Sequence, residues 1–277
     1  MNRVRLLGVL VALAACGTSS SGPADVAPDA AATDAGTTDA GDEGETSTPL
    51  PSRVECTDPA ALTPFPTGDA YAPFVQALSP AKYSYGRCEL VALIVDAALE
   101  LHATMPEKLP FGVADLSQAD GGLPGTDVGT PRHPAPSHTK GFSADITYVR
   151  LNGKTLEDSP ACPSKTREFC EGDHDVDLVP TARLMAHLGR TKRIVQIIVD
   201  PKMEADIGRT LDDLSAAKVE GASHARSVLI SGEPFHADHF HVSVSRACYD
   251  GRDNDGDGKT DLDDPDCVDA LDDDEGM

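Results

Sequence analysis

Residues 236–244 read His-Ala-Asp-His-Phe-His-Val-Ser-Val. Successive side chains of a β-strand point to opposite faces, so His239 and His241 share one face while Phe240, Val242 and Val244 share the other. Such a strand fits a sheet with one face against a core and the other open, carrying two adjacent imidazoles. His236 stands just before it, in the expected turn. About a hundred residues upstream, Ser137–Asp145 reads SHTKGFSAD. Here Gly141 lets the backbone pass close to another element. Asp145 sits among Phe142, Ala144 and Ile146 near the start of a strand expected over 142–149. A lone carboxylate is costly to bury there, and a cation beside it removes the cost. Imidazoles and a carboxylate together form the donor set of a catalytic zinc site, which keeps one position for water. A neutral histidine nearby can then move a proton.

The rest of the pattern supplies a scaffold for that strand. Leu90, Leu93, Ile94, Ala97 and Leu101 form one apolar stripe, which predicts a helix over 88–105 stopped by Pro106. Phe111–Leu116 reads as a strand, followed by a loop over 118–136 that opens at Gly121-Gly122 and is a candidate rim. A second helix is expected over 180–188, with Gly189 as its stop. The β-branched run 194–199 reads as a buried strand, with a short helix after Pro201 and further strands at 227–231 and 240–244. These elements predict an α+β fold, a small antiparallel sheet flanked by helices with the metal site on the open sheet face.

Aromatic residues make up only 4% of the chain and tryptophan is absent, so the core should be aliphatic. The net charge of −23 argues against nucleic acid, which needs lysine and arginine to displace counterions. Arg3 and Arg5 precede an apolar run, 6–15, too short to cross a bilayer. Leu13-Ala14-Ala15-Cys16 resembles a bacterial lipobox. That resemblance implies a signal peptide over 1–15, lipidation of Cys16 and export to the outer membrane, with the lipid as the only membrane contact. Residues 16–52 are poor in large apolar groups and read as a tether. Six further cysteines in an oxidising compartment predict three disulfides among 15 possible connectivities. Nearest-neighbour closure pairs Cys56–Cys88, Cys162–Cys170 and Cys248–Cys267. The folded domain is expected over 53–247, after the tether.

SHTKGFSAD and HADHFHV, paired in this order, resemble the two motifs of the penicillin-insensitive murein endopeptidases, zinc peptidases related to D-Ala-D-Ala carboxypeptidases and hedgehog domains. The resemblance covers about residues 85–248. By position it implies His138, Asp145 and His241 as zinc ligands, His239 as catalytic base and His236 as a further active-site histidine that supports charge. The family often has another histidine three residues before the first ligand. That position is Ala135 here, with His133 nearby. The implied activity is hydrolysis of peptidoglycan stem-peptide cross-links at the D-alanyl–meso-diaminopimelate bond. A D,D- or L,D-carboxypeptidase, or a non-catalytic wall-binding lipoprotein on the same fold, are the alternatives. His102, His174, His187 and His224 have no matched partners. Asp173, Asp175 and Asp177 read as a solvated loop.

The C-terminal segment 248–277 is strongly acidic. Asp253, Asp255 and Asp257, then Gly258, Asp261 and Asp264 fit the spacing of an EF-hand-like calcium loop. The segment resembles a thrombospondin type 3 repeat, closed by a disulfide, which would take Ca2+; a solvated acidic tail is the alternative.

Overall fold

The structure is a computed structural model that describes residues 50–267, apart from 59–60, 109, 136, 157–158, 247, 249–252 and 254–255. The expected signal peptide, Cys16, the tether up to residue 49 and Asp255 lie outside the described residues.

In chain order the elements are β1 (Leu62–Pro64), β2 (Val75–Ala77), β3 (Tyr85–Arg87), α1 (Cys88–Thr104), β4 (Phe111–Val113), β5 (Ser143–Thr147), α2 (Leu178–Leu188), β6 (Ile194–Val199), α3 (Pro201–Ala216), α4 (Ala222–Ser227), β7 (Leu229–Ser231) and β8 (His239–Val244). Six strands form one sheet in the order β2-β4-β5-β8-β6-β7, and β1 pairs with β3 in a separate ribbon. The chain is thus a mixed α/β fold. The sheet differs from the antiparallel one expected, because both outer pairs, β2–β4 and β6–β7, are parallel. Each pair is joined through helices, α1 in one crossover and α3 with α4 in the other, and such a crossover returns the chain in the same direction. The centre, β4-β5-β8-β6, is antiparallel.

The apolar alternation sets which face is packed. Ala144 and Ile146 of β5 and Phe240, Val242 and Val244 of β8 are buried in one core with Leu90 and Ile94 of α1, Leu184 of α2 and Met203, Ile207 and Leu211 of α3. The three α3 residues recur at i, i+4 and i+8, which explains why this helix runs 16 residues instead of remaining short. Its start is capped by the Asp200 carboxylate, which accepts from the Lys202 amide, with Pro201 at the first position. Helix α2 begins two residues before the expected start. Gly189 ends it in a right-handed conformation (φ −70°), not a left-handed cap. The reason for a glycine is space: a Cβ there would stand 2.5 Å from the Gly221 carbonyl oxygen at the entry to α4. The expected strand 111–116 is shorter, ending at Val113, and residue 227 closes α4 instead of opening a strand.

Disulfides join Cys56 to Cys88, Cys162 to Cys170 and Cys248 to Cys267. No helix among the described residues is long and apolar enough to cross a membrane.

Candidate metal centre

The register of the two central strands places Asp145 of β5 directly opposite His241 of β8, and Thr147 opposite His239. Beyond β4, the chain clamps the backbone of Asp145: the Ala114 amide donates to the Asp145 carbonyl (2.8 Å) and the Asp145 amide to the Asp115 carbonyl (3.3 Å). The loop before β5 brings in His138. Its backbone is left-handed at His138 (φ 55°), Lys140 (φ 50°) and Gly141 (φ 73°), a conformation that L-residues with a Cβ adopt at a cost. Gly141 carries the close approach expected of it. A Cβ there would lie 2.6 Å from the Arg87 amide nitrogen, which itself donates to the Gly141 carbonyl at 2.9 Å.

Three donor atoms converge as a result. His138 Nε2 lies 3.2 Å from Asp145 Oδ1 and 3.1 Å from His241 Nδ1, and His241 Nδ1 lies 2.9 Å from Asp145 Oδ1. A tetrahedral ion with bonds of about 2.0–2.1 Å has donor–donor edges of about 3.3 Å, so the triangle is close to the size that zinc requires. All three side chains are buried. His133 completes a second such group, since donor atoms of His133, His138 and Asp145 all lie within 4.8 Å of one another. The described residues therefore hold a His–His–Asp group that can bind a metal ion. His241 is the tighter third member, because His133 Nε2 is 3.7 Å from Asp145 Oδ2 and is engaged by Asp115 Oδ2 at 2.9 Å. The His133 ring stacks on His138 with 3.9 Å between centroids.

Burial alone raises the pKa of Asp145, but the charges of His138 and His239 and hydrogen bonds from His138 and His241 outweigh it and hold the carboxyl well below its ordinary range. For His241 burial dominates and lowers the pKa to about 4, against the opposing pull of Asp145. Both groups are thus in the protonation state that a cation needs, carboxylate and neutral imidazole. The far nitrogen of His241, Nε2, meets Ser243 Oγ at 3.0 Å, and Ser243 Oγ meets Ser143 Oγ at 2.9 Å across the ladder. A serine hydroxyl can donate or accept, so it suits either tautomer of the ring.

His239 stands beside the triangle, with Nε2 3.5 Å from Asp145 Oδ1 and Nδ1 2.6 Å from Asp238 Oδ1. The His236 ring lies 5.2 Å from that of His239, and its Nδ1 meets the Glu233 carbonyl at 3.2 Å. Burial first, then the charge of His239, lowers its pKa. His133, Asp145, His236, His239 and His241 all line a cavity of about 620 Å³, within the usual size for a ligand site, while His138 lies beneath its floor. Phe142, Val195, Ile198 and Phe235 form an apolar wall, and Arg132 and Arg246 also reach it.

Four residues of this neighbourhood escaped the sequence reading as functional candidates: Asp115, Arg167, Asp238 and Ser243. Asp115 is buried and holds Ser79, His133 and Arg132 at once. Asp238 alone left a signal, as the residue preceding the candidate base. The remaining histidines are engaged elsewhere: His187 with Glu100, His174 with Asp206, His224 with the Ile194 carbonyl, and His102 edge-on to Phe74. Asp175 holds the buried Arg150 through both oxygens at 2.8 Å each, so it braces structure instead of standing in solvent.

In the C-terminal loop the Asp253 carboxylate accepts from the amides of Gly256 (2.7 Å) and Gly258 (2.9 Å). The Asp257 carboxylate accepts from the Lys259 amide and pairs with its ammonium group. Asp264 is buried: Oδ1 accepts from the Asp266 amide, while Oδ2 has no hydrogen-bond partner among the described residues. Asp261 opens a short 3-10 turn, Asp261–Asp263, and its side chain lies outside the described residues, as does Asp255.

Comparison of the chain with family models and with curated protein sequences gave no match.

Proposed function

We propose that this chain is a zinc metallopeptidase of the bacterial cell wall, an endopeptidase that hydrolyses peptide cross-links of peptidoglycan, with the D-alanyl–meso-diaminopimelate bond as its target. The observation that carries the reading is the meeting of His138 Nε2, Asp145 Oδ1 and His241 Nδ1 within 2.9–3.2 Å beside a cavity that His239 also lines. Two imidazoles and one carboxylate suit zinc and leave it a position for substrate or water. When bound there, zinc supplies Lewis acidity, polarising a peptide carbonyl and lowering the pKa of adjacent water.

The chain's own residues do the rest. Asp238 accepts from His239 Nδ1, which leaves Nε2 with its lone pair toward the cavity. In that tautomer His239 takes a proton from the attacking water and returns it to the leaving amine. His236 lines the same cavity with its ring 5.2 Å from that of His239, and its single N–H, turned from the Glu233 carbonyl to the substrate, would support the developing oxyanion. The apolar wall of Phe142, Val195, Ile198 and Phe235 offers a surface for the nonpolar parts of the substrate. The cell-wall substrate and the export to the outer membrane rest on the paired motifs and the lipobox-like start.

Digestion of purified sacculi, with mass spectrometry of the fragments, tests the reading. Cleaved cross-linked dimers are expected, lost with zinc in Asp145→Ala. Shortened monomer stems would instead make the chain a carboxypeptidase, and unchanged sacculi a wall-binding module.

A second metal reading concerns the C-terminal loop. Asp264 has a buried oxygen without a partner among the described residues, and it stands twelfth in a loop whose first and fifth members are Asp253 and Asp257. Calcium takes six to eight oxygens in such a loop. Titration calorimetry on the whole protein tests it: a calcium heat that Asp264→Asn abolishes is expected, and no heat from the wild type refutes it.

A further inference from the structure

The Cys162–Cys170 loop touches the candidate base through one intermediary. Asp238 Oδ1 holds His239 Nδ1 at 2.6 Å, and its other oxygen, Oδ2, holds the Arg167 guanidinium at 2.8 Å. Arg167 belongs to the short loop that the disulfide closes over eight residues. The loop is braced internally. Ser164 Oγ donates to the Phe169 carbonyl and accepts from the Arg167 amide, and the Glu171 amide donates to the Pro163 carbonyl. It is also docked, since the Phe235 amide in the turn before β8 donates to the Glu168 carbonyl at 2.8 Å. Arg167, next to Glu168, and Phe235 are both left-handed without being glycine (φ 66° and 68°). Neither Arg167 nor Asp238 lines the cavity.

We infer that Arg167 is a positioning residue for His239: carried by a disulfide-closed loop, it locks the Asp238 carboxylate so that the His239 ring keeps its proton on Nδ1 and turns Nε2 to the metal centre. This rests on the proposed function. The physical argument is about rotation. A carboxylate held through one oxygen swings about its χ2, and the imidazole follows it. Held through both oxygens, it fixes the plane and tautomer of the ring, the task that a buried aspartate performs for the histidine of a hydrolytic triad. Arginine suits the role because its planar fork stays charged and directional. The disulfide shortens the loop enough for Arg167 to keep that place, which ties the oxidised state of Cys162 and Cys170 to the efficiency of the base.

The test uses the zinc-loaded full chain on a cross-linked muropeptide dimer. Arg167→Ala should lower kcat about tenfold or more, with KM and bound zinc unchanged, since outer partners of a site weigh that much. Arg167→Lys should recover part of the loss, and Cys162→Ser with Cys170→Ser should reproduce it. Lys165→Ala, on the same loop and paired with Glu171 (3.3 Å), serves as control and should match wild type. Independently of activity, 15N-edited spectra of the metal-free protein should show His239 as the Nδ1–H tautomer in wild type and as a mixture in Arg167→Ala. Wild-type kcat together with an unchanged tautomer in Arg167→Ala would overturn the inference and leave the proposed function standing. A wild type that holds zinc but cuts nothing would sink the proposed function, while the spectra still decide the role of Arg167.

Discussion

Acid should weaken this protein through His241 before it reaches most carboxylates. The ring is buried on β8, the strand between β5 and β6, and its pKa falls from 6.5 to about 4 on folding. Between those values the unfolded chain carries a proton on this ring that the native protein does not. Stability therefore rises with pH across the window, and is lost as the pH falls from about 6.5 toward 4. At 1.36 kcal/mol per pH unit, the difference amounts to about 3 kcal/mol. Bound metal would add a loss of the same sign, because a cation also requires the neutral ring. The measurement is thus made on chelated protein, by urea unfolding at half-unit steps from pH 7 to pH 4, for wild type and His241→Gln. The expected outcome is a steeper acid loss in wild type, by about 3 kcal/mol over the window. Parallel curves for the two proteins would refute the argument, since they would mean that the ring titrates alike folded and unfolded.

Three further predictions come from the same frame. Ser243→Ala removes the partner of His241 Nε2 and should weaken zinc binding about 10- to 100-fold, read by competition with a chromogenic chelator, while Ser243→Thr should stay near wild type. Gly141→Ala forces a Cβ to within 2.6 Å of the Arg87 nitrogen at φ 73°; the left-handed backbone alone costs ~1–2 kcal/mol, and with the clash the melting temperature of the metal-free protein should fall by about 6–12 °C in calorimetry. Asp115→Asn weakens the hold on Arg132 and His133, and should lower stability at pH 7 more than at pH 3, because the native carboxyl titrates below its ordinary range and its contribution fades as acid protonates it.

What could be read from the sequence tracks the period of each element. The alternation over 239–244 shows both the strand and its histidine face, because each residue's direction follows from a two-residue repeat. The stripe of α1 shows itself for the same reason. The strand Val75–Ala77 has three residues and no period to detect, so the sheet's outer edge and its parallel pairing stayed hidden. Helix α3 looks short in the sequence because Asp206, Arg209, Asp212 and Asp213 interrupt its apolar stripe. In the site, His138, Asp145, His236, His239 and His241 stand out because they cluster along the chain. Asp115 and Arg167 come from separate loops, and only the folded backbone brings them near; Asp115 is joined to His133 from 18 residues away, and Arg167 to Asp238 from 71. His133 carries no spacing signal, lying in a proline-rich stretch whose path is set by packing.

The donor triangle also has a kinetic meaning. Its members are separated by 103 residues between His138 and His241, and by 96 between Asp145 and His241. No early hairpin or isolated helix can assemble it, since closing so long a span comes late in folding and contributes to a slow rate. The pairing of β5 with β8 has to be complete, in register, before a cation meets all three donors. A metal ion taken up by this group would therefore follow the pairing of β5 with β8 and could not template it. A chain misaligned by one residue along that ladder would turn Asp145 and His241 to opposite sides and hold no metal at all.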